Sequence, residues 1–469
     1  MRHSGIEQKS YPLLDGPIGK TLVRLGLPMV FGMTAIMLFN VVDTLYVGRL
    51  GAIELAAMSF TFPVVYMLMH IGVGLGVGVT SAISRAIGEG DHDRVRRLTT
   101  DGLILANTTV VILAVAGWFS IDPLFRALGA NDEMIPLIRT YMRWVYVGVG
   151  FLMIPIAGNS AIRATGDTKT PAIIMMVAGV VNIILDPLLI FGPGPFPRLG
   201  LEGAAIATVI SWTVTLFASL WILGRRLKML DRSIPQLGAM WRSWKEILYV
   251  GIPAAASQVL VPVAVGIITR MVSSFGPTAV AAFGVGTRIE ALSLIGVFSL
   301  SAALAPFVGQ NYGARKRERL RASIRFCAVA SVVYGALTIA VLAIVARPLA
   351  ALFSSQEDVI GTTVTYLRIM PLGYMFHGFT LMVMSTLNAV NRPLRAAALN
   401  AIRLFVFSVP LAWLGAHLAG IAGIYFGLVV ANVLIGIISF LVVQKFLDVT
   451  DVEMAADSEM VAKADAPGA

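Results

Sequence analysis

The chain has 469 residues, of which 57% are hydrophobic and only 13% charged, and its mean hydropathy is +0.82. Soluble domains carry about 25% charged residues, so the composition excludes an ordinary soluble fold and points to an integral membrane protein. The net charge of +10 lies in short loops between apolar runs, which argues against a nucleic-acid surface. The single Cys327 excludes an intramolecular disulfide and a cysteine metal cluster.

Runs long enough to span a bilayer, about twenty apolar residues each, predict an all-α membrane protein of about twelve transmembrane helices. They fall at 22–47, 54–83, 100–121, 134–161, 170–191, 201–224, 247–274, 279–308, 323–346, 359–387, 394–414 and 420–445. Residues 1–21 are polar and lead into a full span, so no cleavable signal peptide is expected. An even number of spans puts both termini on one side. Alternate loops carry Arg94, Arg96, Arg97, Lys169, Arg225, Arg226, Arg315, Lys316, Arg317, Arg392 and Arg395, whereas the opposite loops hold little beyond Arg49, Arg126, Arg198 and Arg347. Cytoplasmic loops carry the Lys/Arg excess, which predicts cytoplasmic termini and a multi-pass protein of the cytoplasmic (inner) membrane.

Within the first span stands a carboxylate, Asp43, with Asn40 three residues before it and Pro28 near the start. An Asp at a helix centre disfavours insertion by roughly 2.5–3.5 kcal/mol, so such a residue faces a bundle interior or a watery cavity. The fifth span holds a second acid, Asp186, four residues after Asn182 and on the same helix face. Pro187 removes a backbone donor beside it. Both acids fall towards the outer ends of their spans, where they can meet at one depth. Two carboxylates sharing a low-dielectric cavity raise each other's proton affinity, which suits uptake of H⁺ or Na⁺. Asn and Thr oxygens would complete a sodium site.

A shift of 225 residues lays Leu25–Pro28 (LGLP) on Val250–Pro253 (VGIP), Gly51 on Gly276, Gly88 on Gly313 and Thr140–Arg143 (TYMR) on Thr365–Arg368 (TYLR). The chain is thus a duplicated six-helix unit, with its two lobes related by a pseudo-two-fold axis along the membrane normal. The expected division is 1–224 for the first lobe, 225–246 for a cytoplasmic linker, 247–446 for the second lobe and 447–469 for a disordered acidic tail. Asp43 falls on Ile268 and Asp186 has no acidic counterpart, so the embedded acids belong to the first lobe alone.

Other embedded polar residues read as structural. Arg288 and Glu290, two apart, point to different faces and suggest a contact at the cytoplasmic or inter-lobe surface. Arg163, Arg270 and Arg403 stand near span ends, where they can snorkel. His377 reads as a hydrogen-bonded packing residue. Met33 and Met37 belong to a set of methionines suited to a pliable cavity.

The pattern P-x14-D in the first span, N-x3-DP in the fifth, GAAxAT in the sixth and the six-plus-six duplication resemble the multidrug and toxic compound extrusion (MATE) transporters, and within them the DinF-like branch. The resemblance implies that Asp43 and Asp186 handle the proton or sodium, with Asn182 and with Thr208 of GAAIAT. It also implies Asn159 in the substrate cavity and Pro28 as a conformational hinge; Asn40, beside Asp43, and Met33 and Met37 are expected in the same cavity from their own positions in the first span. The GPGPFPRLG segment before the sixth span departs from the family pattern, so the position of Thr208 rests on the GAA motif. The implied activity is H⁺- or Na⁺-coupled antiport that exports organic, cationic and amphipathic drugs by alternating access. The implied protein is a monomer in the lipid bilayer, with no enzymatic activity, no cofactor beyond the coupling ion and no nucleic-acid partner. Two rivals carry distinct signatures. A lipid-linked oligosaccharide flippase of the same superfamily would line its cavity with several Arg or Lys. An intramembrane aspartyl protease would need a GxGD-like acid within the membrane, whereas Gly166-Asp167 falls in a loop.

Overall fold

The computed structural model describes residues 13–231 and 236–464, and it is helical throughout, with no strand among them. The first lobe comprises α1 (Ile18–Gly48), α2 (Ala52–Glu89), α3 (His92–Ala127), α4 (Met134–Ala164), α5 (Lys169–Phe191) and α6 (Leu201–Trp221). The second comprises α7 (Leu237–Ser273), α8 (Pro277–Ser293), α9 (Ile295–Gly313), α10 (Arg317–Ala351), α11 (Glu357–Ile369), α12 (Tyr374–Ala389), α13 (Pro393–Ala401) and α14 (Val409–Ala464).

Twelve spans emerge once breaks are read as bends. Helices α8 and α9 form one span bent by 44°. Helices α11 and α12 form another, interrupted by a single tight turn over Met370–Gly373, where Pro371 withdraws a donor from the helical ladder. Helix α13 continues through a widened π turn, Ile402–Ser408, into α14. Helix α14 itself breaks at Ala419 and Gly420, and Gly420 takes φ 61°, a left-handed conformation that favours glycine.

Two expected boundaries move. Residues 237–246, expected in the linker, already form the first turns of α7. Residues 447–464, expected as a disordered tail, continue α14 to Ala464. Their Ala, Glu, Met and Lys residues are strong helix formers. The indole nitrogen of Trp244 donates to the Asp101 carbonyl at 3.0 Å and fastens α7 to α3.

The duplication is visible in how the lobes touch. A Cβ on Gly88 would lie 2.1 Å from the Gln310 carbonyl oxygen, and one on Gly313 would lie 2.3 Å from that of Arg85. Each glycine meets the backbone three residues before its repeat partner, the reciprocity of a two-fold contact. Bare glycines let α2 and α9 cross backbone to backbone.

This crossing lies at the end that carries both termini. There Lys316 pairs with Asp15 at 3.0 Å and Arg321 with Asp448 at 3.4 Å. It is also the Arg-rich end, called the basic end below. The second lobe packs around Leu304, Phe307, Tyr366, Leu387 and Tyr425. The first lobe has two apolar cores. Along α5, Ile174 belongs to one and Ile190 to the other, with Asn182 and Asp186 between them. Leu27, Phe31, Ile184, Phe217 and Ile344 are exposed outside the bundle, where a lipid-facing surface wants apolar side chains.

Candidate functional site

Helices α1 and α5 lie side by side, as do α5 and α6, and this arrangement gathers the polar residues of three spans. Asp43 is 7% exposed, Asn182 1% and Asp186 0%, so the acids are removed from water and depend on each other and on nearby dipoles. The two carboxyl groups lie close enough to interact with each other. Two carboxylates brought together away from water repel each other, and a proton or a cation between them relieves that repulsion. With its amide turned to satisfy both neighbours, Asn182 donates to Asp186 Oδ2 at 2.7 Å and accepts from the Thr208 backbone N–H at 3.3 Å. One oxygen of each acid, Asp43 Oδ1 and Asp186 Oδ1, is buried without a partner. Unpaired buried oxygens of this kind mark a place for a proton or a cation. Thr208 is buried beside them on α6.

Asp43, Asn182 and Thr208 line a cavity of about 720 Å³ between the lobes, and Asp186 lies behind them. Met33, Met37 and Asn159 also line it. Asn159 is held by Ser219 Oγ, which donates to its Oδ1 at 2.9 Å. The side chain of Asn40 lies outside the described residues. Helix α1 runs unbroken through Pro28, which leaves the Arg24 carbonyl without its helical donor. From the second lobe, Phe298 of α9 and Met384 of α12 complete the wall.

The sequence reading missed Tyr141. It is buried on α4, lines the cavity and lies within electrostatic reach of both acids. Its place in TYMR, one element of the repeat, was the available signal. Arg163 was also misplaced. It does not reach the membrane surface but lines the cavity, because Ser160 one turn earlier accepts from its Nη2 at 2.6 Å.

Two further expectations are corrected. Glu290 faces the interior of the second lobe, where it accepts from the Tyr366 hydroxyl. Arg403 likewise stays inside, 3.1 Å from His377 Nδ1 and 3.0 Å from Asn400 Oδ1. Asp167 of the Gly-Asp pair ties down the start of α5, accepting from the Thr170 N–H at 2.9 Å.

At the basic end the lobes are closed over the cavity. Arg85 of α2 meets Glu246 of α7 at 2.9 Å and donates to the Ala389 carbonyl at 3.1 Å. Arg94 reaches the same Glu246 at 2.9 Å. Ser81 donates to the Asn388 carbonyl at 2.6 Å, and Gln310 to that of Ala164 at 2.7 Å. Arg85 and Glu246, each set in a mostly apolar stretch, were signals of this closure that the sequence reading passed over.

Comparison with known proteins agrees with this architecture. The MatE family pattern matches twice, over 28–188 and 253–414, with starting points separated by the repeat shift. A protein of Shewanella oneidensis named FAD transporter is 38% identical over 93% of this chain and 96% of its own length. The multidrug export protein MepA of Staphylococcus saprophyticus is 24% identical over 96% of this chain and 98% of its own. The Vibrio cholerae MATE transporter VcmN in its bent form superposes with a TM-score of 0.89 at 32% identity, covering 93% of this chain and 98% of VcmN. The outward-facing conformation of a multidrug resistance MATE transporter gives 0.88 at 28% identity, covering 94% and 99%. This chain therefore belongs to the MatE family and is a multi-pass membrane transporter, not an enzyme.

Proposed function

We propose that the protein is a proton-coupled antiporter that exports an amphipathic organic solute by alternating access. The observation that carries the reading is the placement of two buried acids, Asp43 and Asp186, beside each other at the wall of the inter-lobe cavity. A proton taken up by the pair relieves the repulsion between the two carboxylates, and Asp43, Asn182, Asp186 and Thr208 are the residues that would hold a sodium ion in its place. The basic end is the cytoplasmic one by the distribution of Lys and Arg, so the closed state described here opens outward. Protons entering from outside neutralise the acid pair, α1 adjusts at Pro28, and the cavity loses its hold on the cargo. Each proton moved inward through 100 mV supplies about 2.3 kcal/mol, enough to concentrate a neutral solute more than about tenfold.

The methionine-rich walls and the acid pair suit a cationic amphipath, in line with relatives named for multidrug export. A second reading is a flavin dinucleotide or similar anionic aromatic, in line with the relative named FAD transporter. Its support is Arg163 in the same cavity. Reconstituted protein under an imposed pH or Na⁺ gradient tests the proposal, with ethidium and FAD as alternative cargoes. Accumulation driven by the pH gradient alone is expected. Accumulation driven only by Na⁺, or none with either cargo, would overturn it.

A further inference from the structure

The cavity has two charged ends. Among its described lining residues only Asp43 and Arg163 carry formal charge. Tyr141, beside the acids, and Arg163 both stand on α4; the 22 steps from one to the other correspond to about 33 Å of helix at 1.5 Å per residue. The acid and the base therefore act on separate parts of the cavity.

At the Arg163 end no carboxylate answers the guanidinium within ion-pair distance among the described residues. Its hydrogen-bond partner is the neutral Ser160 hydroxyl. A partly buried guanidinium without a counter-charge presents a planar fork of donors suited to phosphate or carboxylate. The surrounding groups match that use. Thr80, whose hydroxyl donates to the Ser160 carbonyl at 3.2 Å, lines the cavity beside it, as do its neighbour Ser81 and Asn388, whose carbonyl accepts from the Ser81 hydroxyl at 2.6 Å. The Asn388 side-chain oxygen is buried without a partner, so its amide can turn its NH₂ group towards a ligand.

We propose that Arg163 is an anion subsite that anchors the phosphate or carboxylate of an amphipathic cargo whose apolar body lies along the methionine-lined wall. This rests on the cavity being the cargo site, as proposed above, but not on which ion drives transport. The same chemistry serves a soluble aromatic phosphate and a lipid phosphate, and the two are separable by experiment.

The test is binding to purified protein in detergent without any ion gradient, so a failure of proton coupling leaves its reading intact. Riboflavin and riboflavin 5′-phosphate share one ring and chain and differ only in the phosphate. Flavin fluorescence should show the phosphate binding at least tenfold tighter to wild type. The preference should vanish in Arg163→Gln and return in part in Arg163→Lys. In a second arm, dihexanoyl phosphatidate replaces the flavin. An Arg163-dependent preference for either ligand supports the subsite and identifies its source. Wild type that binds neither ligand, or does not prefer riboflavin 5′-phosphate to riboflavin and holds no phosphatidate, overturns the proposal without need of a folded variant. So does an Arg163→Gln protein that keeps the preference.

Discussion

Glu246 sits between two arginines from the other lobe, 2.9 Å from Arg85 and 2.9 Å from Arg94, with the Arg85 side chain only 7% exposed. One carboxylate thus joins α7 to both α2 and α3 at the basic end. Removing it leaves two cations facing each other, one of them buried. Losing one partner of a fully buried pair costs about 3–5 kcal/mol. The Glu246 side chain is 24% exposed, so about 1–2 kcal/mol is the discounted expectation. Glu246→Gln should therefore shift the closed state towards opening at this end by roughly tenfold. Spin labels at Asp93 and Glu318, both exposed near the closure, should report a longer distance population. An unchanged distribution would show that backbone packing alone holds the end shut.

Backbone packing makes its own prediction. A side chain at Gly88 would collide with the Gln310 carbonyl, 2.1 Å from its Cβ. Because the obstacle is backbone, it cannot rotate away. Gly88→Val should fold into the membrane but fail to close, with the same spin-label pair held apart and transport lost. Wild-type transport by this variant would contradict the α2–α9 crossing described here.

Two glycines of α14 separate strain from collision. Gly420 takes φ 61° with open space around it apart from Phe275, whereas a Cβ on Gly423 would lie 1.9 Å from the Gly415 oxygen. Gly420→Ala should destabilise by about 1 kcal/mol through its left-handed backbone, and Gly423→Ala by about 3 kcal/mol through overpacking. Thermal unfolding in detergent should rank the two in that order.

Asn182 bridges Asp186 and α6, and hydrogen bonds to charged groups contribute about 1.5–3 kcal/mol. Asn182→Ala should lower proton-driven transport about tenfold or more without removing either acid. A rate equal to wild type would exclude the amide from the site.

Much of this molecule was legible in the sequence because its signals are local or periodic. Apolar runs fix the spans, the repeat shift foreshadows the reciprocal Gly88–Gly313 contact, and two acids in apolar surroundings announce a site. Asn159 and Thr208 were named through the family resemblance and Met33 and Met37 through the chemistry of methionine, and all four line the cavity. What escaped depends on which way a helix faces. Arg163 near a span end could snorkel or turn inward, and sequence spacing does not distinguish the two. Glu290 and Arg403 were misplaced for the same reason. Bends within spans, such as the 44° one between α8 and α9, leave little trace in hydropathy.

The central claim is that Asp43 carries the coupling proton. Vesicles holding reconstituted protein and a trapped pH-sensitive dye measure it most directly, for wild type and Asp43→Asn, as the solute that wild type accumulates is added. Wild type should move protons in exchange for solute, and Asp43→Asn should move none while remaining folded. Proton movement in Asp43→Asn at the wild-type rate would contradict the account and reduce the acid pair to a structural feature.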